Sequence, residues 1–345
     1  MSDHGLPSQS IQPAFPSAPP AGATLRGPMT FGQILDRVLQ LMRSNWPLFV
    51  RIALAPAVGL IAYFGIIFAA FFPVLKLIML HQTVGFSPMK MASLGTSLGL
   101  AYVVGILLMV VIYALYEPAG IYAALEANAG TRVTLRTAWA VSWSKAGRYV
   151  WLSILRAVIV MLPMLVFGAL IAGTLGLSMA HGSGSLDPSL VAMIVPLFML
   201  LYLAWMVYTV LIMLRLVLAV PASVAEDLTA WRSLRRSNHL TNGAKGRIFL
   251  LGLLIYAIAY AVFLVAEVVI FFLGAMAALV GMMLHLAMAP WGYIGTGVGA
   301  TVFACAYLVW IAAVASAYCT LFAVVYHDQL LRLDGAAAGA GLIQG

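Results

Sequence analysis

Residues 221–251 read PASVAEDLTAWRSLRRSNHLTNGAKGRIFLL, a polar and basic island between two long apolar runs. The island carries Arg232, Arg235, Arg236, Lys245 and Arg247, in a chain where only 8% of residues are charged. A segment of this kind faces water or anions, whereas its flanks must be buried in an apolar phase. The nature of that phase decides the fold.

The chain is 64% hydrophobic, with a mean hydropathy of +1.05, against about 45–50% apolar residues in ordinary soluble domains. This composition predicts an all-α membrane protein that crosses the bilayer several times. Its net charge of +8 would suit a nucleic-acid partner only if it formed a soluble patch. The basic residues instead flank apolar spans, a pattern that fits orientation in a bilayer and attraction to anionic lipid. Membrane lipids are therefore the expected partners, and nucleic acid is not. Cys305 and Cys319 fall in one apolar run, 14 residues apart. A continuous helix would hold them about 21 Å from each other, beyond disulfide reach.

Outward from the island, hydropathy marks spans at 47–81, 98–127, 147–180, 190–225, 248–285 and 298–327. Each is long enough for the roughly 20 residues a bilayer crossing needs. Pro73, Pro163 and Pro196 lie inside spans, where kinks are expected. Gly168, Ala172 and Gly176 form a small-residue face suited to close helix packing. Before the first span, Thr30 and Gln33 make a capping-box pattern. Phe31, Ile34, Leu35, Val38, Leu41 and Met42 recur at helical spacing, predicting an amphipathic helix on the membrane surface with Trp46 as its headgroup anchor.

Lys and Arg crowd this helix, the link around Arg132, Arg136 and Lys145, the opening island, and the C-terminus, while the alternate loops hold only Lys90. That asymmetry predicts both termini and all basic segments in the cytoplasm, with the protein in a bacterial inner membrane. Residues 1–29, rich in proline, read as a disordered cytoplasmic tail, and 335–345 as a flexible end.

The basic segments repeat. Leu135, Arg136, Gly147 and Arg148 match Leu234, Arg235, Gly246 and Arg247 at an offset of 99, and Glu126, Glu226 and Asp328 close the even spans. The membrane domain 30–334 thus divides into three hairpins, at about 30–127, 128–227 and 228–334, each preceded by a cytoplasmic amphipathic helix. Two spans per repeat give all three one orientation, and parallel repeats are related by an axis along the membrane normal.

The run VLAVPASVAEDLTAWRSLRRSNHLTNGAKGRIFLLGLL resembles the membrane domain of some bacterial glycerophosphoryl diester phosphodiesterases and of free-standing relatives without the catalytic domain. An apolar helix ending in proline, an acid, a segment similar to ALRRSWRLTRG and a new apolar helix carry the likeness. FGQILDRVLQLMRSNWPLFV and VVYHDQLLRLDG resemble that family's start and end, so the likeness covers roughly residues 30–334. Asn238 and Ala244 stand where the family has aromatic residues. The phosphodiesterase activity does not carry over, because no histidine here precedes Arg-Gly as in the family's catalytic domain. The resemblance implies an accessory or lipid-proximal membrane module.

Three sets of side chains are candidate sites. Arg136, Arg148, Arg232, Arg235, Arg236, Lys245 and Arg247 are placed to meet lipid headgroups. Glu117, Arg156, Arg215 and Glu267 fall inside apolar spans, where ionisable groups pair or face a cavity. Glu117 has either Arg156 or Arg215 as a partner within reach. His81, His181 and His285 end the odd spans and would bind zinc if the threefold arrangement brought them together. No cofactor is expected. The GxSxG, HExxH, CxxC and P-loop signatures are missing, so a non-enzymatic lipid-binding or scaffolding protein leads. A transporter using the buried Glu and Arg residues is the alternative, and an accessory role in glycerophosphodiester metabolism the second.

Overall fold

Thr30 starts the first helix through the reciprocal bonds its sequence predicts: the Thr30 amide donates to Gln33 Oε1 at 2.8 Å and the Gln33 amide to Thr30 Oγ1 at 3.4 Å. The computed structural model describes residues 27–79, 88–180, 188–283 and 290–343. The helices are α1 (Phe31–Met79), α2 (Pro88–Asn128), α3 (Leu135–Ser144), α4 (Ala146–Ala180), α5 (Pro188–Leu216), α6 (Ala219–Ala225), α7 (Ala230–Thr241), α8 (Lys245–Met283) and α9 (Pro290–Ile343). Six segments are long and apolar enough to cross a membrane, within Phe31–Phe72, Gly95–Asn128, Ala146–Leu170, Val195–Ala225, Lys245–Met276 and Thr301–Leu333. The chain is a multi-pass, all-helical membrane protein.

The predicted surface helix and the first span form one element, α1, interrupted at Asn45, whose backbone leaves the helical region (φ −121°, ψ 21°). Pro47 has no N–H for the carbonyl of Arg43 and its ring crowds that turn. The Asn45 side-chain amide donates to the carbonyl of Leu41 at 3.2 Å. The expectation that this segment lies with its apolar face in lipid needs correcting. Ile34, Val38 and Leu41 are buried in one cluster with Leu251 of α8 and Leu321 and Val325 of α9. A stripe of apolar residues can be covered by lipid or protein equally well, and here neighbouring helices reach it first. Trp46 remains 62% exposed.

The buried core sits at the basic end of the bundle. Ala119 and Ala123 of α2, Val220 and Val224 of α6, and Cys319 and Ala323 of α9 belong to a single cluster. Small side chains let these helices approach closely. A Cβ added to Gly120 would lie 2.8 Å from Cys319 Sγ, and one on Gly105 would lie 2.4 Å from the Tyr63 ring. Gly168, read from sequence as part of a packing face, has nothing within 4 Å of an added Cβ. Towards the other end the spans present large apolar side chains outward, including Leu107, Leu165, Leu200, Val262 and Phe271. Such exposure suits hydrocarbon.

The fourth span is not one helix. It ends at Leu216 and resumes as α6 at Ala219, because Pro221 cannot donate to the carbonyl of Val217 and its ring clashes with that carbonyl. Ser237 of α7 occupies the break: its hydroxyl accepts from the Leu218 amide at 3.1 Å and donates to the Arg215 carbonyl at 2.7 Å. By contrast, α4 and α5 run unbroken through Pro163 and Pro196. Helix α9 continues to Ile343.

Replacing Ser237 with Ala leaves the buried Leu218 amide without this partner and removes the bond to the Arg215 carbonyl, at a cost of about 1–3 kcal/mol. Thermal unfolding in detergent should show Ser237→Ala clearly below wild type, and Ser144→Ala, which alters an exposed local bond, within about 0.5 kcal/mol of it. Equal melting of wild type and Ser237→Ala would contradict this account of the break.

Candidate functional site

The basic end is closed by arginines that reach the C-terminal ends of the even spans. Arg37 donates from Nε to Asn128 Oδ1 at 2.9 Å and from Nη2 to the Asn128 carbonyl at 3.1 Å. Arg148 lies 2.6 Å from the Asp227 carboxylate and also donates to the carbonyls of Asp227 and Leu228. Arg247 pairs with Asp328 at 3.0 Å. A cation at a helix C-terminus meets both the dipole and the last free carbonyls, which suits Arg37 at the end of α2 and Arg148 just past α6; Asp328 lies inside α9, where Arg247 meets its carboxylate.

Asp227 adopts φ +53°, a left-handed conformation that aspartate tolerates better than most residues. Burial raises its carboxyl, but hydrogen bonds from Lys145 and Arg148 outweigh this and hold it below the usual aspartate value. Glu226 pairs with Arg236 at 2.9 Å and accepts from the Tyr326 hydroxyl at 2.6 Å. Asp328 is fully buried and additionally takes Arg332 at 2.9 Å and the Met29 amide at 2.7 Å.

These pairs divide the predicted headgroup residues. Arg148, Arg236 and Arg247 are engaged internally. Arg136, Arg232, Arg235 and Lys245 make no ion pair with a described residue, and the three arginines are exposed. The Arg235 guanidinium lies 5.7 Å from the centre of the Trp231 ring. The exposed Arg43, Arg51 and Arg132 were not among the predicted headgroup residues, although Arg43 and Arg132 lie in basic segments that the sequence marks. Trp46, Trp143, Trp151 and Trp231, each more than half exposed, flank these cations. Their proximity in sequence to the basic segments was the available signal.

Within the spans, Arg156 of α4 pairs with Glu117 of α2 at 2.7 Å, both side chains about one-fifth exposed. Arg215, the other partner considered for Glu117, is exposed and makes no ion pair with a described residue. Glu267 is half-buried and likewise has no ionic partner among the described residues. A groove of about 350 Å³ runs beside α2, bounded by α1, α4 and α5, and a second of about 290 Å³ lies between α2 and α9. Tyr113 and Glu117 line both. His81, His181 and His285 lie outside the described residues, and among those residues no cluster of His, Cys, Asp and Glu could hold a metal. No family model, curated protein or solved structure matches the chain.

A depressed carboxyl contributes stability that is complete above its ordinary value and is lost as pH falls through its folded value. Thermal unfolding of the wild type should therefore lose an increment below about pH 4 that Asp227→Asn does not lose. At neutral pH the variant should be less stable by under about 1 kcal/mol, since the carboxylate is nearly half exposed and solvent screens it. Parallel pH profiles would rule out the depressed carboxyl.

Proposed function

We propose that this is a non-enzymatic membrane protein whose basic end sits among anionic lipid headgroups and serves membrane homeostasis or scaffolds a partner. The observation that carries this reading is the set of cations left over after internal pairing: Arg136, Arg232, Arg235 and Lys245 have no ionic partner among the described residues, and Trp46, Trp143, Trp151 and Trp231 in the same basic segments face outward. Tryptophan favours the level of the headgroups, and each nearby cation contributes about 1 kcal/mol of attraction to an anionic leaflet. In this reading the basic end, with both termini, faces the cytoplasm of a bacterial inner membrane, an orientation that the excess of Lys and Arg at this end supports.

The same proposal takes the bundle as three parallel repeats, each hairpin preceded by an amphipathic cytoplasmic segment. Supporting it, Arg37, Arg148 and Arg247 each reach the end of the even span of their own hairpin. Ser142 of α3 donates to the carbonyl of Leu115 and Ser237 of α7 to that of Arg215, an offset of 100 between the acceptors. The N-terminal part of α1 covers α9 as α3 and α7 cover the earlier even spans. Kinship with the membrane domain of glycerophosphoryl diester phosphodiesterases, and with it an accessory role in glycerophosphodiester metabolism, rests on the sequence likeness alone. The competing reading, passage of a small solute or ion, draws on Glu117 and Arg156 between the two grooves. The groove walls are otherwise largely apolar, which favours lipid over a hydrated solute.

Tryptophan fluorescence in reconstituted bilayers tests the headgroup reading. Brominated anionic lipid should quench the wild type more than brominated zwitterionic lipid at equal mole fraction, with the difference shrinking as salt rises. Changing Arg136, Arg232, Arg235 and Lys245 together to Gln should abolish the difference. No preference in the wild type would refute the proposal.

A further inference from the structure

The groove beside α2 has a direction. Ile106, Met109, Val110, Tyr113 and Glu117 line it from one helix, at spacings that place them on a single face. Glu117 lies eleven positions beyond Ile106, about 16 Å along the axis. Apolar side chains occupy the stretch distant from the basic end, and the Glu117–Arg156 pair stands at the stretch nearest to it. The edge of the Tyr63 ring packs against Gly105, where an added Cβ would collide with it, and Tyr63 of α1 forms part of the groove wall. A volume of about 350 Å³ falls in the range of small-molecule sites.

The pair itself is incompletely used. Among the described residues its one hydrogen bond runs from Arg156 NH1 to Glu117 Oε2, leaving further guanidinium donors and one carboxylate oxygen available. A ligand bearing only an anion would compete with Glu117 for Arg156 and strand a carboxylate in an apolar groove, at considerable cost. A head with both a phosphate and a primary ammonium would meet both charges at once, phosphate on Arg156 and ammonium on Glu117. The polarity of the groove, head towards the basic end and tail towards the middle of the bilayer, matches a lipid of the leaflet in which that end sits.

From this complementarity we propose that the groove is a binding site for one aminophospholipid, its chain along Ile106–Tyr113 and its head on Glu117 and Arg156. The site is separate from the exposed arginines and tryptophans, and it selects a zwitterionic head where they favour anionic ones.

The test is lipid retention by the full-length protein, reconstituted with equal amounts of phosphatidylethanolamine and phosphatidylglycerol of matched chains, then transferred to mild detergent and weighed by native mass spectrometry. The wild type should keep one phosphatidylethanolamine, at least tenfold over phosphatidylglycerol. Ala157→Phe, which fills the groove from α4 and leaves both charges in place, should lose it. The double variant Glu117→Gln, Arg156→Gln should bring the preference near one. The variant lacking the charges of Arg136, Arg232, Arg235 and Lys245 should retain the lipid as wild type does, so this site and the surface reading stand or fall separately. Absence of bound lipid in the wild type, equal retention of the two lipids, or undiminished retention by Ala157→Phe would each overturn the proposal.

Discussion

Asp328 is a carboxylate with no exposed surface, and the basic end of the protein closes around it. Its oxygens take Arg247 from the start of α8, Arg332 one turn further along α9, and the amide of Met29 just before α1. Both arginines also donate to the Met29 carbonyl, at 2.6 and 2.8 Å. A buried carboxylate is costly unless its partners are close and its lone pairs are filled, and this one meets both conditions. The consequence is positional. By holding residue 29 at the junction of α8 and α9, the cluster brings the first turns of α1 onto those helices, where Ile34, Val38 and Leu41 are then buried.

The charges separate into two populations. Those bonded inward, Arg37, Arg148, Arg236 and Arg247, bind the ends of α2 and α6 and the Asp328 turn of α9 to neighbouring segments. Those facing out, among them Arg136, Arg232 and Arg235, have no such work and stand beside exposed tryptophans. In the spans, Glu117 and Arg156 pair through a single hydrogen bond at the edge of an apolar groove. Packing is dense where helices meet through Ala119, Gly120 and Ala323. Further from that end, exposed Leu, Val and Phe side chains leave lipid as the medium that completes the fold.

The spans were legible because length and hydropathy suffice to recognise them, and Thr30 with Gln33 marked the first helix start. Acids at the ends of the fourth and sixth spans were legible too, since Glu226 and Asp328 stand out in so apolar a chain; their arginine partners were not, because 81 residues separate Arg247 from Asp328. The pairing of Glu117 with Arg156 was one of two open choices, and the geometry of α4 decides it. The break before α6 escaped notice because Pro221 sits where a span ends naturally, and the hydroxyl that fills the gap belongs to Ser237, 19 residues beyond Leu218. The apolar stripe of α1 was visible, but nothing in a stripe says whether lipid or protein covers it. The glycines that mattered, Gly105 and Gly120, stand in small-residue runs of their own, Ala101–Gly105 and Gly120–Ala124, that the sequence reading passed over, whereas Gly168, which it singled out, faces open space.

A double-mutant cycle on Arg247 and Asp328, read from reversible unfolding in detergent, tests most directly whether this buried cluster organises the basic end. Asp328→Asn and Arg247→Gln should each cost about 3–5 kcal/mol, as removal of one partner of a buried pair does. The double variant should cost far less than their sum, giving a coupling of at least about 1.5 kcal/mol. Single losses under about 1 kcal/mol that simply add, as for an exposed pair, would contradict the account.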